Sequence, residues 1–308
     1  MNRKDHAPDL AAELQAVVAG RVLAGVSMEQ FTTWRIGGPA DLLLIPRAED
    51  DVTAALEFAG RHSLPLTVIG NGSNLLVGGA GIRGLVLKIG GGLQDLRING
   101  NEITAGAGVI LPALARAAGR ESLSGLEFAG GIPASLGGAL IMNAGAFGQF
   151  IGKSVRSVDA IDFNGARRTW KASELTFGYR RSTLQPESLI ILKASLELQA
   201  AEQQSVLKRL EAFLEYRSSH HPLDLPSAGS VFRNPPEQPA GLLIEMAGLK
   251  GFKVGDAQVS TKHANFIVNL GHATATQVRE LMEIVRGRVA ARFGIDLIAE
   301  VRMVGEER

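Results

Sequence analysis

The stretch from Gly125 to Gly148, GLEFAGGIPASLGGALIMNAGAFG, constrains the fold of this 308-residue chain more than any other. Its glycines, Gly125, Gly130, Gly131, Gly137, Gly138, Gly145 and Gly148, alternate with Leu136, Ala139, Leu140, Ile141 and Met142. A flexible linker is polar between its glycines; this run is apolar and has to fold into a core. Without a Cβ, glycine admits positive φ and lets backbone N–H groups come close to a ligand. Such a run suits a phosphate-bearing cofactor, which needs N–H donors and little side-chain bulk. It equally suits a set of tight, ligand-free turns.

Length points to about two domains, each with its own core. With 45% apolar and 20% charged residues, the composition is that of a soluble globular protein. A net charge of +1 gives no basic footprint for nucleic acid or an anionic membrane. The absence of cysteine removes disulfides, thiolate nucleophiles, cysteine-ligated zinc and iron–sulfur clusters together. The N-terminus MNRKDHAPDL lacks the apolar segment of a signal peptide, and no run reaches the ~18 apolar residues of a membrane span. A cytoplasmic location is expected.

From Pro8 a short amphipathic helix carries Leu10, Leu14, Val17 and Val18, and Gly20 ends it. Leu42 to Ile45 read as a buried strand closed by Pro46. Asp50 and Asp51 start a helix whose stripe is Val52, Ala55, Leu56 and Ala59, and Leu66 to Ile69 form the next strand. This βαβ unit delivers GNGSN, residues 70–74, at a strand's carboxyl end, where α/β sheets bind ligands. The match of Gly79, Gly81 and Gly84 to GxGxxG is a decoy, because the strand-like LVLKI follows where a dinucleotide fingerprint needs a helix. Gly152-Lys153-Ser154 is no P-loop either, since Phe147 stands at the required glycine. Hairpins are expected around Asn99-Gly100 and Asn164-Gly165, a helix over 110–118, and a strand over LIILKASLEL. Residues 201–217 read as a charged connecting helix, and AGLLIEMAGL as a short apolar one. Thr274 and Gln277 form a capping box ahead of the stripe Val278, Leu281, Met282, Val285 and Val289, and LIAEVRMV reads as a final strand. The division expected is 1–33 as helix and lead-in, then domains over 34–200 and 201–308.

The reactive side chains left are Ser, His, Asp, Glu, Lys, Arg and Tyr. No GxSxG elbow or metal-ligand spacing occurs. His220-His221 lies near Ser230 without the logic of a triad and reads as exposed loop histidines. Taken singly, Ser230 fits a turn, Arg180 a surface ion pair and Glu300 a solvated strand residue.

Taken together they read differently. TTWRIGGPA, GNGSNLLV, the glycine run, FGYRRS, PSAGSVFRNP, LIEMAGLKG and AEVRMVG occur in this order between about Thr32 and Gly305. The series resembles the UDP-N-acetylenolpyruvoylglucosamine reductase family, the flavoenzymes of peptidoglycan precursor synthesis. The resemblance implies an α+β fold: a vanillyl-alcohol-oxidase-type FAD-binding domain followed by a smaller α+β substrate-binding domain. It implies non-covalent FAD contacted by Arg35, by Gly70, Asn71, Gly72, Ser73 and Asn74, and by Gly131, Ile132, Pro133, Ser135, Gly137, Gly138, Asn143 and Ala144. NADPH is the implied hydride donor, and no metal is implied. The short spacing from FGYRRS to GSVFRNP matches the family's compact subtype, which lacks a substrate-gating tyrosine loop.

The implied reaction carries hydride from flavin N5 to C3 of the enolpyruvyl group of UDP-N-acetylglucosamine enolpyruvate, and a proton to C2. Hydride addition pushes charge onto the substrate carboxylate, which a bidentate, permanently charged arginine stabilises. Arg180 takes that role by its place in FGYR. Glu300, by its place in EVR, is the protonated acid that donates a second hydrogen bond. Ser230, by its place in GSVF, is the proton donor, with Tyr179 and Asn234 as substrate contacts. Ala134 stands where the family often has glycine, and Ile298 where it often has an acid. An oxidase of the same fold and a non-catalytic nucleotide-binding module are the alternatives; GSVFRNP and AEVRMVG speak against the first, retention of Arg180, Ser230 and Glu300 against the second. A monomer acting on a small-molecule substrate, without nucleic-acid or membrane partners, is expected.

Overall fold

A computed structural model describes residues 7–185 and 189–307; the first six residues of the charged N-terminus lie outside that range. The chain opens with α1 (Ala7–Val17), β1 (Arg21–Ser27), β2 (Pro39–Ile45), α2 (Glu49–Arg61) and β3 (Leu66–Ile69). Past the GNGSN loop come β4 (Leu75–Val77) and β5 (Ile82–Lys88), so Gly79, Gly81 and Gly84 do lead into a strand. Next are the hairpin of β6 (Leu96–Asn99) and β7 (Glu102–Gly106), α3 (Leu111–Arg120) and β8 (Leu123–Ser124). The glycine run builds α4 (Leu136–Met142) and a hairpin of β9 (Gly145–Ala146) and β10 (Gln149–Phe150). Then follow β11 (Val155–Asp162), β12 (Arg167–Lys171), β13 (Phe177–Gly178), β14 (Arg181–Ser182), β15 (Leu189–Glu197), β16 (Gln199–Ala200) and α5 (Gln203–His220). The chain closes with α6 (Ala240–Met246), β17 (Lys253–Val254), β18 (Ala257–Val259), β19 (Ile267–Asn269), α7 (Ala275–Phe293) and β20 (Arg302–Val304).

Two compact units emerge, and neither is continuous in sequence. One comprises residues 1–24, 42–71 and 84–216, the other 25–41, 72–83 and 217–308. In the first, β12-β11-β15-β7-β6 form an antiparallel sheet. β3 pairs in parallel with β5, Leu66 opposite Leu85 through Ile69 opposite Lys88. Its core takes Leu114, Ala115 and Ala118 from α3, Leu136, Ala139 and Leu140 from α4, and Val52, Ala55, Leu56 and Ala59 from α2. Asp51 does more than favour the helix dipole: its carboxylate accepts the backbone N–H groups of Arg47 (2.6 Å) and Ala19 (2.7 Å), tying the helix start to the loop after α1.

The second unit packs α6 and α7 over the antiparallel trio β17-β18-β19, with β20 parallel to β4. Thr274 and Gln277 close the capping box at the start of α7, and Val278, Leu281, Met282, Val285 and Val289 are all buried.

Three expectations need correction. Val17 is exposed, because α1 ends there and the following turn buries Val18 instead. The helix over 201–217 runs from Gln203 to His220; it buries Val206 and Leu210, the latter in the first core, and is no free connector. LIAEVRMV is regular only over Arg302–Val304; ahead of it, Ala299 makes a single antiparallel bridge to Phe232. No helix among the described residues is long and apolar enough to cross a membrane.

Candidate active site

In the first unit the glycine run is held against Gly70 and Asn71. The Asn71 side chain donates to Pro133 O (2.8 Å), and a Cβ added to Gly70 would collide with Ser135 Oγ. Buried Lys88 donates to Gly70 O at 3.1 Å, and burial lowers the pKa of its amine. Ser135 is 1% exposed, and its Oγ has no hydrogen-bond partner among the described residues. A buried hydroxyl left unsatisfied costs about 1–3 kcal/mol, which a bound acceptor would remove. Ala134 does not adopt positive φ, so its methyl group replaces the family's usual glycine without backbone strain.

Asn143 takes the left-handed conformation at the end of α4 (φ 44°, ψ 59°). Its side chain donates to Gly178 O (2.8 Å) and accepts from Gly152 N–H (3.0 Å). Ser182 Oγ donates to Ile141 O (2.8 Å). Both bonds dock the β13–β14 hairpin, whose two-residue turn is Tyr179-Arg180, onto the end of α4. Arg180 sits at φ 54°, uncommon and costly for a residue with a Cβ. Its Nη1 donates to Gly145 O (3.3 Å), and its backbone carbonyl accepts from Gln185 Nε2 (3.1 Å). Tyr179 is exposed, 5.4 Å from the guanidinium.

In the second unit, Gly72 has φ +67°, and a Cβ there would strike Phe31 O. Asn74 donates its side-chain N–H to Glu300 O (3.1 Å) and accepts Arg302 N–H on its backbone (2.9 Å). Arg35 is exposed at φ 55°, beside buried Trp34, whose Nε1 donates to Ile267 O (2.9 Å). Ser73 is half-buried, and the exposed Asn234 accepts Ala240 N–H at the start of α6 (3.0 Å).

Ser230 follows Gly229, whose φ of +74° calls for glycine. The chain then enters a short antiparallel seam. Glu300 N–H donates to Val231 O (2.7 Å), Phe232 bridges Ala299, and Arg233 N–H donates to Ile298 O (2.8 Å). Ser230 and Glu300, 70 positions apart, thereby come to one seam. On its other edge lies Asn265, buried to 3%, which sequence reading passed over. The signal for it was there: an amide side chain in KHANFIVN set directly ahead of the apolar Phe266-Ile267-Val268.

The histidines differ from expectation. His221 packs against His263 (5.2 Å between rings) and Phe266 (5.0 Å), so it is not a solvated loop residue. Burial, then the charge of Arg217, then His263 lower its pKa to about 3. A lowered imidazole value means the folded state holds it neutral. Its contribution to stability is whole above the ordinary value of 6.5, starts to fall below that pH and is lost by about pH 3. His221→Phe, which keeps the ring packing, is expected to flatten the decline in urea midpoint between pH 6.5 and 4. An unchanged decline would assign the acid sensitivity elsewhere.

Residues 40–170 match an FAD binding domain, and residues 221–304 match the C-terminal domain of UDP-N-acetylenolpyruvoylglucosamine reductase. The reductase of that name from Heliobacterium modesticaldum is 49% identical over 91% of this chain and 89% of its own length. The one from Moorella thermoacetica is 47% identical over 96% and 98%. The crystal structure of the reductase from Thermus caldophilus superposes with a TM-score of 0.80 at 37% identity, covering 92% of this chain and 99% of that one. The residues present suit an FAD: the buried Ser135 hydroxyl, without a hydrogen-bond partner among the described residues, faces Gly70, where no Cβ fits.

Proposed function

The chain belongs to the UDP-N-acetylenolpyruvoylglucosamine reductase family, FAD-containing oxidoreductases of peptidoglycan synthesis, and from that membership we propose that it reduces UDP-N-acetylglucosamine enolpyruvate to UDP-N-acetylmuramate at the expense of NADPH. Gly70, Asn71, Ser135, Gly137 and Gly138 would hold the FAD in the first unit, with Gly131, Ile132, Pro133 and Ala144 lining the same run. An FAD held there would supply the hydride chemistry, reducing the enolpyruvyl double bond with electrons taken from NADPH.

The remaining work falls to side chains. Arg180 offers two parallel N–H donors to the substrate carboxylate, on which charge grows as hydride arrives. The hairpin turn that carries it is tied to the end of α4 through Asn143 and Ser182, which fixes the backbone from which the fork extends, as catalysis by fixed dipoles requires. Glu300, protonated, donates a further hydrogen bond to the same charge. Ser230 gives its hydroxyl proton to C2, completing addition of hydride and proton across the double bond. A serine hydroxyl is a weak acid, so it delivers a proton only to a strongly basic carbon and only when held in place. Tyr179 and Asn234, both exposed, are offered as substrate contacts.

The seam joining Ser230 to Glu300 is the observation that supports this division of labour most directly. Its test is the visible spectrum of the purified protein without oxygen. Flavin bands should bleach with NADPH and return with UDP-N-acetylglucosamine enolpyruvate. Bands that return only with oxygen would replace the reductase reading with an oxidase. The reading places the protein in the cytoplasm, beside its nucleotide-sugar substrate and NADPH, as a monomer.

A further inference from the structure

We propose that Asn265 is a positioning residue for proton delivery, holding Ser230 and Glu300 in register; the proposal rests on the proton-donor reading of Ser230. Val231 and Phe232, the two residues after Ser230, are each 1% exposed, so their four backbone polar groups must find partners inside the protein. The strand-like segment 298–300 serves one edge, where Val231 O accepts Glu300 N–H (2.7 Å). On the other edge β19 pairs only further back, where Val268 bridges Ser227. Alongside Val231 and Phe232, Asn265 O accepts Val231 N–H (2.8 Å), Asn265 Oδ1 accepts Phe232 N–H (3.0 Å), and Asn265 Nδ2 donates to Phe232 O (2.8 Å).

A primary amide presents an acceptor and a donor side by side, as a peptide group does, so Asn265 stands in for a missing strand residue. It is itself fixed, because its N–H donates to His263 Nδ1 (3.2 Å). The segment from Ser230 to Phe232 is thus clamped between Asn265 and Glu300. On the other side of Ser230, Gly229 turns at φ +74°, and the chain ahead of it is held by the bridge of Ser227 to Val268 and by Asn269 N–H donating to Pro226 O (2.9 Å). The clamp fixes the backbone from which the serine hydroxyl projects. Proton transfer by so weak an acid is sensitive to placement, and a shift of about 1 Å costs on the order of 10²-fold in rate.

The test uses the FAD-loaded enzyme carrying Asn265→Ser or Asn265→Asp. Asn265→Ser shortens the group, and Asn265→Asp replaces the donor to Phe232 O with a charged acceptor. The rate at which UDP-N-acetylglucosamine enolpyruvate restores the flavin bands should fall about 10- to 100-fold. Bleaching by NADPH and the substrate KM should stay as in the parent. The solvent deuterium isotope effect on band recovery should rise, and the Val231 and Phe232 amides should exchange faster in the substrate-free protein. In a Ser230→Ala background the same substitutions should cost nothing more.

A folded variant with normal recovery, an equal loss in both half-reactions, or a full multiplicative loss on top of Ser230→Ala would each overturn the proposal. Should neither variant fold, exchange in the parent protein decides: slow exchange at Val231 and Phe232 is expected, and fast exchange overturns the clamp. Ser230→Ala with normal turnover would instead remove the reading of Ser230, whatever Asn265 does.

Discussion

Ser230→Ala is expected to lower kcat by about 10²- to 10⁴-fold, the usual worth of a placed general acid. The flavin bands should still bleach with NADPH at the parent rate, because no proton from Ser230 enters that half of the cycle. The defect should sit wholly in recovery of the bands by the enolpyruvyl substrate. Folding should hardly notice: Ser230 is half-buried, and such changes shift stability by no more than about 0.5 kcal/mol when no core contact is lost. Stopped-flow absorbance of the two halves, beside a urea midpoint, separates these outcomes. Equal slowing of both halves, or normal turnover, would take Ser230 out of the mechanism.

Arg180→Lys should cost about 10²- to 10³-fold in kcat, the scale on which removal of one aimed donor to a developing charge is felt. Lysine keeps the charge and loses the planar fork. The backbone supplies an independent check. At φ 54°, glycine is favoured over any L-residue by about 1–2 kcal/mol. Arg180→Gly should therefore be the more stable and Arg180→Ala the less stable of two variants, with both inactive. Such a pattern marks a residue kept for function against the preference of its own backbone. If Arg180→Lys turns over normally, the guanidinium has no role in stabilising the carboxylate.

These expectations draw unequally on sequence and structure. The periodic helices were legible because their signals are local. The stripe of α7, its Thr274–Gln277 capping box and the acidic first turn of α2 all act within one turn of helix. The strand character of LVLKI was equally local and ruled out a dinucleotide fold at Gly79. Boundaries set by distant partners were harder. The last strand shortened because Ala299 bridges Phe232 before the ladder with β4 begins, and no pattern inside LIAEVRMV reveals either neighbour.

The site shows the same division. Residue types and motif order carried Arg180, Ser230 and Glu300, as well as the glycine loops where no Cβ fits. Their supports were not visible. Asn143 read as a cofactor contact, yet both ends of its side chain bond backbone around the Arg180 hairpin. Asn74 read likewise, yet its amide holds Glu300. Asn265 was not singled out, yet it clamps the residues beside Ser230.

By itself, then, the sequence determined the class of chemistry, the periodic helices and the glycine loops. Each follows from a residue's own geometry or from partners a few positions away. Only the tertiary structure decided which buried amide bonds which backbone group. Asn265 and Phe232 are 33 positions apart, Asn74 and Glu300 226, and Trp34 and Ile267 233. Over such separations the pairing depends on how the whole chain closes on itself, and no local periodicity or cap encodes it.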